Sequence, residues 1–413
     1  MTGSTARDGR TFVVVGASLA GAKAAETLRE EGFTGRVVLL GEEPELPYER
    51  PPLSKGYLLG SDERGSVFVH DRAWYDEQRI ELHTGVRVEA IDRDAHTVSL
   101  VDGERIGYDA LLLTTGSVVR ELPVPGADLA GVHYLRRIEH SDALRDRLTD
   151  GTRVVVVGGG WIGLEVAAAA RTRGAAVTLV EIDALPLRRV LGDEVAQVFA
   201  DLHVAHGVDL RLGTGVREIV GAGGHVASVT LDDGSSVPAD VVVVGIGITP
   251  AVELARGAGL DVDDGVLVDA SLRTSDPRVW AAGDVANVQH PLLGRRVRVE
   301  HWANALHGGP AAARSMLGQE VVYDRVPYFF TDQYDLGMEY SGLAGPGDYE
   351  RVVFRGDVAG REFIAFWLAD GRVLAGMNVN VWDVTEDVER LVRSGERVDP
   401  ARLADPAVSL AEV

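Results

Sequence analysis

The chain has 413 residues, a net charge of −22, no cysteine, and only two lysines, Lys23 and Lys55, among its 41 basic residues. The length admits two or three domains with real cores. The negative charge argues against nucleic-acid and anionic-membrane partners. The missing cysteines exclude structural disulfides, thiolate metal sites, iron–sulfur ligation and a redox-active cysteine pair.

No stretch approaches the ~18 apolar residues of a membrane span. Met1–Arg10 is polar and lacks the apolar core of a signal peptide. The expectation is a cytoplasmic protein with no membrane partner, no nucleic acid and no bound metal.

In chain order, Thr11–Val15 is an apolar run that breaks at Gly16. A helical pattern follows over 20–31, then a β-type run at Arg36–Leu40, which together make a βαβ unit. A further strand over 109–114 ends in Thr115-Gly116. The plan repeats at Arg153–Val157, which breaks at Gly158. A helix is expected over 162–173, a strand over 176–180, and Val241–Val244 mirrors Leu111–Leu113. The two units start far apart, so this is a duplicated fold and not a tandem short repeat. From about Tyr328 aromatics cluster, short alternating runs appear at 351–354, 363–368 and 373–375, and a last helix is expected over 385–393. The resulting fold class is α/β: two Rossmann-like dinucleotide-binding domains plus a small α+β C-terminal domain. The expected divisions are 1–119, 120–247, 248–324 and 325–413, with the first and third forming one interrupted domain.

The second turn reads Gly158-Gly-Gly160-Trp-Ile162-Gly163, between a strand and a helix. The first glycine permits the tight turn, the second lets backbone approach pyrophosphate, and the third lets helix pack on strand. Glu181 ends the next strand, where a carboxylate accepts ribose hydroxyls and repels a 2′-phosphate, favouring NADH over NADPH. A turn that merely packs is the rival reading. Arg188 and Arg189, which follow a turn, read as surface arginines.

The first turn reads Gly16-Ala17-Ser18-Leu-Ala-Gly21, with Ser18 in place of the middle glycine. Glu42 ends the next strand; Glu43 and Glu45 are rival ribose ligands or solvated loop carboxylates.

Two nucleotide folds, one interrupted by the other, with a small C-terminal domain, resemble the glutathione-reductase-like flavoproteins. The stretch from Pro47 through Tyr48-Glu49-Arg50-Pro51-Pro52-Leu53-Ser54 to Lys55 narrows this. So do Gly158 to Glu165, Val244 to Ile248, Ala282-Gly283-Asp284, and the run Glu300-His301-Trp302 with Asn304-Ala305. In combination they resemble the family of FAD-dependent, NADH-using ferredoxin reductases that includes those of putidaredoxin and of biphenyl-type dioxygenases. The resemblance spans essentially the whole chain.

It implies FAD in the first fold, NADH in the second, and a [2Fe–2S] ferredoxin as acceptor, feeding a dioxygenase or cytochrome P450. For FAD it implies Gly16, Ala17, Ser18, Gly21, Glu42 on the adenosine ribose, Arg50, Val88, Thr115, Gly116, Arg136, Gly283, Asp284 on the ribityl chain, His301, and the backbone of Trp302 at the pyrimidine edge. For NADH it implies Gly158, Gly160, Ile162, Gly163, Glu165, Glu181 and Gly247. Lys55 is implied beside the flavin N5 with Glu165 as its partner, a cation placed where hydride transfer leaves negative charge. Their bland readings are an exposed loop lysine and a first-turn acid favoured by the helix dipole. Phe330 stands where relatives often have tryptophan, against flavin and nicotinamide. It can stack but lacks the indole N–H, which bears on how firmly oxidised nicotinamide stays on the reduced flavin; the alternative is ordinary core.

The function implied is NADH:ferredoxin oxidoreductase, as a monomer or homodimer. Competing readings are an NADH oxidase, dye, quinone or monodehydroascorbate reductase without a dedicated ferredoxin, and a redox-sensing interaction protein resembling apoptosis-inducing factor. An acidic ferredoxin would need a local positive patch, and Arg295, Arg296 and Arg298 form the densest candidate.

Overall fold

The computed structural model describes residues 8–413. The chain divides into two compact units. One comprises the chain up to Glu49, with Arg64–Val118 and Thr249–Arg325; the other comprises Arg50–Glu63, Val119–Ile248 and Val326–Val413.

The first unit is built on a parallel five-stranded sheet in the order Val279–Ala281, Ala110–Leu113, Thr11–Val15, Arg36–Leu40, Ile80–His83. Its central strands read as continuous Val/Leu runs because helices and small sheets cover both faces; Val13, Val14, Val38 and Leu39 are fully buried. The helix Leu19–Glu30 follows the first strand and packs on the sheet through Ala24, Ala25 and Leu28. A second helix, Trp302–Met316, lies against it. Gly309 makes that approach possible, since a Cβ there would overlap the Ala20 carbonyl oxygen. The indole N–H of Trp280 donates to Ser315 Oγ at 2.9 Å and ties this helix to the sheet.

The second unit contains a sheet of the same plan: Asp209–Leu212, Ala176–Glu181, Arg153–Val157, Val241–Val244, Val132–Tyr134, all parallel. The two sheets differ at one edge. Beside the fourth strand, the first sheet places a strand from late in the chain and the second a strand that precedes its own first βαβ unit. The helix Trp161–Thr172 is alanine-rich, and the small side chains of Ala167–Ala170 bring it down onto the sheet.

The C-terminal part of this unit is an antiparallel sheet in the order Tyr328–Gln333, Leu336–Gly342, Arg372–Val379, Glu362–Ala369, Arg351–Asp357, with the helix Thr385–Ser394. Phe363, Trp367 and Met377 join Leu179 and Phe199 in one core, and Trp367 Nε1 donates to the Leu191 carbonyl at 3.0 Å. Arg355 donates to the carbonyls of Leu403, Asp405, Pro406 and Val408, which pins the last turns of the chain.

Expected element boundaries lie within a residue or two of the observed ones in both βαβ units. The three short C-terminal runs extend to seven or eight residues each. The helix Trp302–Met316 was not read from the sequence because Gly308-Gly309-Pro310 inside it carries two weak helix formers and a breaker.

Candidate cofactor and electron-transfer site

Both glycine turns close in the same way. Gly16 and Gly158 have φ of +115° and +104°, and a Cβ on either would overlap a carbonyl oxygen of the neighbouring strand end, Thr114 or Gly245. Only glycine meets both demands. The third glycine of each turn, Gly21 or Gly163, sits over the carbonyl of the first. The middle position is different. Ser18 and Gly160 are both extended, at φ −112° and −78°, and a Cβ at Gly160 meets nothing within 4 Å. The backbone there does not demand glycine, so Ser18 fits without strain.

The acids after the turns behave differently. Glu42 is 56% exposed, with Arg87 4.0 Å away. Its two rivals are engaged elsewhere: Glu43 accepts from the Tyr48 hydroxyl, and Glu45 pairs with Arg64 at 2.9 Å. Glu181 folds back onto its turn, accepting from the Gly159 N–H at 2.5 Å and the Asp183 N–H at 2.8 Å. In the first turn that pinning comes from a residue the sequence reading missed: the Thr114 hydroxyl donates to the Gly16 carbonyl at 2.8 Å. Arg188 and Arg189 are exposed, as expected, and both are held by carboxylates, Asp193 and Asp183.

Elsewhere in the first unit, Asp284 lies in a short turn, Gly283–Val285, with Ser117 Oγ 3.4 Å from its carboxylate. His301 occupies the N-cap position of the helix that begins at Trp302, without a side-chain capping bond. Burial brings the His301 pKa down to about 4, against the opposing pull of the Asp284 charge, so its ring is neutral. Ala17 and Val88 pack partly buried against this unit's core. Thr115 and Gly116 both bond to Ala251, through the Thr115 hydroxyl at 2.8 Å and the Gly116 carbonyl at 2.9 Å.

In the second unit, Ile162 is 44% exposed beside Gly160, and Gly247 accepts from the Arg120 N–H at 3.0 Å. The segment Pro51–Ser54 forms a 3₁₀ turn, its two prolines presetting φ. The turn is anchored by Ser141 Oγ donating to the Leu53 carbonyl at 2.8 Å and by the Tyr57 hydroxyl on Asp142 at 2.5 Å. Arg50 donates to the Arg136 carbonyl, so these two expected residues do come together.

The anchored turn presents Lys55 to Glu165. Their ion pair spans 2.7 Å, with side chains 15% and 4% exposed. Glu165 also accepts from Ser54 Oγ and, at 2.6 Å, from Thr331 Oγ1. A buried charge persists only when paired and fully hydrogen-bonded, and three donors meet that demand. Ser54 and Thr331 were missed as site residues; each is the chain neighbour of one that was named, Lys55 and Phe330. Phe330 is half-buried, with the Lys55 Nζ 5.5 Å from its ring centroid. The core aromatic is its neighbour Phe329, which packs on Trp161 and Tyr340.

Arg295, Arg296 and Arg298 lie on one strand, Arg295–Arg298, with Arg295 and Arg296 exposed. Successive side chains alternate between faces. Arg296 donates to the Val268 and Asn287 carbonyls. Arg298 is largely buried between Glu300 and Asp264.

Residues 10–309 match the pyridine nucleotide-disulphide oxidoreductases and residues 328–413 match a reductase C-terminal domain. The chain belongs to the pyridine nucleotide-disulphide oxidoreductase family. Among relatives, it is 46% identical to the ferredoxin–NAD(+) reductase component of the anthranilate 1,2-dioxygenase system of Burkholderia cepacia, over 97% of this chain and 98% of the relative. It is 38% identical to putidaredoxin reductase of Pseudomonas putida, over 97% and 96%. Among solved structures, it superimposes on the covalent putidaredoxin reductase–putidaredoxin complex with a TM-score of 0.94 at 38% identity, covering 98% of this chain and 97% of that one. It is an oxidoreductase using FAD and NAD(H). With no cysteine in the chain, this family member works without a thiol pair of its own. Among the described residues no helix is long and apolar enough to cross a membrane.

Proposed function

We propose that the protein is a cytoplasmic NADH:ferredoxin oxidoreductase, passing electrons from NADH through FAD to a [2Fe–2S] ferredoxin that serves a dioxygenase or a cytochrome P450. The observation that carries this reading is the buried Lys55–Glu165 pair in a cysteine-free chain with two glycine turns. A relative named as the ferredoxin–NAD(+) reductase component of a dioxygenase system and another named as a putidaredoxin reductase support it.

The first unit fits FAD. Its turn carries glycine where a Cβ would overlap a carbonyl, at Gly16 and Gly21, and Ser18 between them has extended backbone; the start of the helix leaves backbone N–H groups for pyrophosphate. Glu42, the acid left exposed to solvent, accepts the adenosine ribose. Asp284 would take the ribityl hydroxyls, Gly283 and the Trp302 backbone would approach the isoalloxazine, and Val88, Thr115, Gly116 and neutral His301 would complete this unit's contacts; Arg50 and Arg136, which the resemblance also implies for FAD, belong to the second unit. The second unit takes NADH on Gly158, Gly160, Ile162, Gly163 and Gly247. Glu181 both shapes that turn and meets the ribose, and its charge disfavours a 2′-phosphate. When bound, FAD would supply a hydride acceptor that can release electrons singly. Lys55 would hold positive charge where hydride transfer leaves negative charge, Glu165 offsets and orients it, and Phe330 would offer a stacking face to the nicotinamide.

The test is direct. The purified protein should be yellow, release FAD on denaturation, and reduce a [2Fe–2S] ferredoxin from the same organism faster with NADH than with NADPH. Lys55→Met should move the flavin midpoint potential. Release of FMN, or failure with every such ferredoxin, overturns the assignment.

A further inference from the structure

Behind Glu165 a line of polar side chains runs into the core of the second unit. Thr331 Oγ1 lies 2.6 Å from Glu165 Oε1, Gln333 Nε2 lies 3.2 Å from Thr331 Oγ1, and His203 Nε2 lies 2.9 Å from Gln333 Oε1. Beyond His203, the Tyr334 hydroxyl approaches Nδ1 at 3.5 Å. His203, Gln333 and Thr331 are between 0 and 1% exposed. The buried polar side chains Gln333 and His203 contact neither turn and lie outside the function proposed above.

Chemistry fixes the direction of every link. An ionised Glu165 can only accept, so the Thr331 O–H is spent on it. Thr331 Oγ1 then has acceptor capacity, which the Gln333 NH₂ fills. That orients the amide with its oxygen toward His203, and an amide oxygen only accepts. His203 must therefore carry its proton on Nε2 and leave Nδ1 bare. Burial brings its pKa down to about 4, so near neutral pH it has one ring proton to place. A chain whose donors all point the same way polarises along its length, and here they converge on one carboxylate.

We propose that His203 is a positioning residue for the Lys55–Glu165 pair, acting through Gln333 and Thr331. The strand Tyr328–Gln333 carries two links of the chain on its inward face and Phe330 on the other. The helix Asp193–Ala205 supplies His203. Loss of His203 or Gln333 leaves Thr331 free to turn its hydroxyl away, and Glu165 then holds Lys55 with one fixed donor fewer. The consequence for electron transfer rests on the reading of Lys55 as the cation beside the flavin; the positioning itself does not.

Lys55 and Lys23 are the only lysines, so brief acetic anhydride treatment of the purified protein, read by mass spectrometry, compares the two amines directly. Gln333→Met and His203→Phe should raise acetylation of Lys55 relative to Lys23 several-fold. His203→Gln, which keeps an N–H donor, should restore most of the difference. An unchanged ratio in folded variants overturns the proposal. Nitrogen-15 shifts of the wild-type imidazole, which need no variant, should show a protonated Nε2 and a bare Nδ1 on His203; the opposite tautomer overturns it as well. The flavin midpoint potential of Gln333→Met should shift in the direction that Lys55→Met shifts it. A changed acetylation ratio with an unmoved potential in both variants supports the positioning role and overturns the placement of Lys55 at the flavin instead.

Discussion

The two nucleotide-binding turns reach the same backbone shape with different supports. In the first, the Thr114 hydroxyl from the adjacent strand end holds the Gly16 carbonyl, and the acid, Glu42, stays in solvent. In the second, Gly245 occupies the place of Thr114 and offers only backbone, and the acid, Glu181, holds the turn by accepting from the Gly159 N–H. A duplicated fold has thus moved one structural task from a hydroxyl on one side of the turn to a carboxylate on the other. The second acid is committed to the scaffold, and the first stays largely in solvent.

The largest effect should come from filling the closed positions. A Cβ at Gly21 or Gly163 would overlap a carbonyl oxygen within its own turn, and overpacking of this kind costs about 1–3 kcal/mol or more. Gly21→Val should yield a protein without flavin. Gly163→Val should stay yellow but lose reduction by NADH. Absorbance of bound flavin and anaerobic NADH titration separate the two. A yellow Gly21→Val protein would break the assignment of cofactors to turns.

Next in size is the pair of supports. Glu181→Ala removes a charged acceptor from two backbone N–H groups, and hydrogen bonds to charged groups contribute about 1.5–3 kcal/mol. The KM for NADH should rise roughly tenfold or more on that scale, and the preference over NADPH should narrow. Thr114→Val should weaken FAD retention, while Glu42→Ala should alter FAD affinity without altering stability. If Glu42→Ala destabilises the fold as much as Glu181→Ala, the two acids share one role after all.

The contrast between the turns also marks how far the sequence could be read. Strand, turn, helix and acid were legible because glycine spacing and apolar runs are local signals. That Thr114 or Glu181 would pin the turns was not, because strand pairing across about a hundred residues brings Thr114 to Gly16 and side-chain rotamers decide which acid turns inward. Lys55 and Glu165 were named through a resemblance; the geometry adds Ser54 and Thr331, invisible alone because serine and threonine are unremarkable in a turn and a strand. The arginine cluster is smaller than its sequence suggests. A run Arg-Arg-Val-Arg alternates across a strand, and nearby carboxylates, unseen in the one-dimensional pattern, neutralise Arg298.

Two histidines, His301 in the first unit and His203 in the second, have pKa values lowered to about 4 by burial. The unfolded chain protonates both near 6.5, so between pH 6.5 and about 4 it binds more protons than the folded state. Stability therefore rises with pH across this window and is lost as pH falls through it, by about 1.4 kcal/mol per pH unit for each fully titrating site. Urea midpoints at pH 7 and pH 4.5 should differ accordingly. His203→Gln should remove its share of the slope and leave that of His301; an unaltered slope would show that His203 titrates normally.

The smallest effect should come from the middle position, where the turns differ in sequence without differing in shape. Ser18 and Gly160 both have extended backbone at the start of their helices, and a Cβ at Gly160 would stand in open space. Gly160→Ser imports the residue of the first turn into the second. Folding should be indifferent or slightly improved, since serine restricts the unfolded chain more than glycine does. Any cost should fall on the nucleotide, because the added Cβ and hydroxyl stand where backbone meets pyrophosphate. The expected outcome is an unchanged melting temperature, unchanged flavin content and at most a few-fold rise in KM for NADH with kcat retained. A stability loss as large as that of Gly163→Val would mean that the middle glycine is structural in the second turn, and the tolerance of Ser18 would then need a compensating feature peculiar to the first.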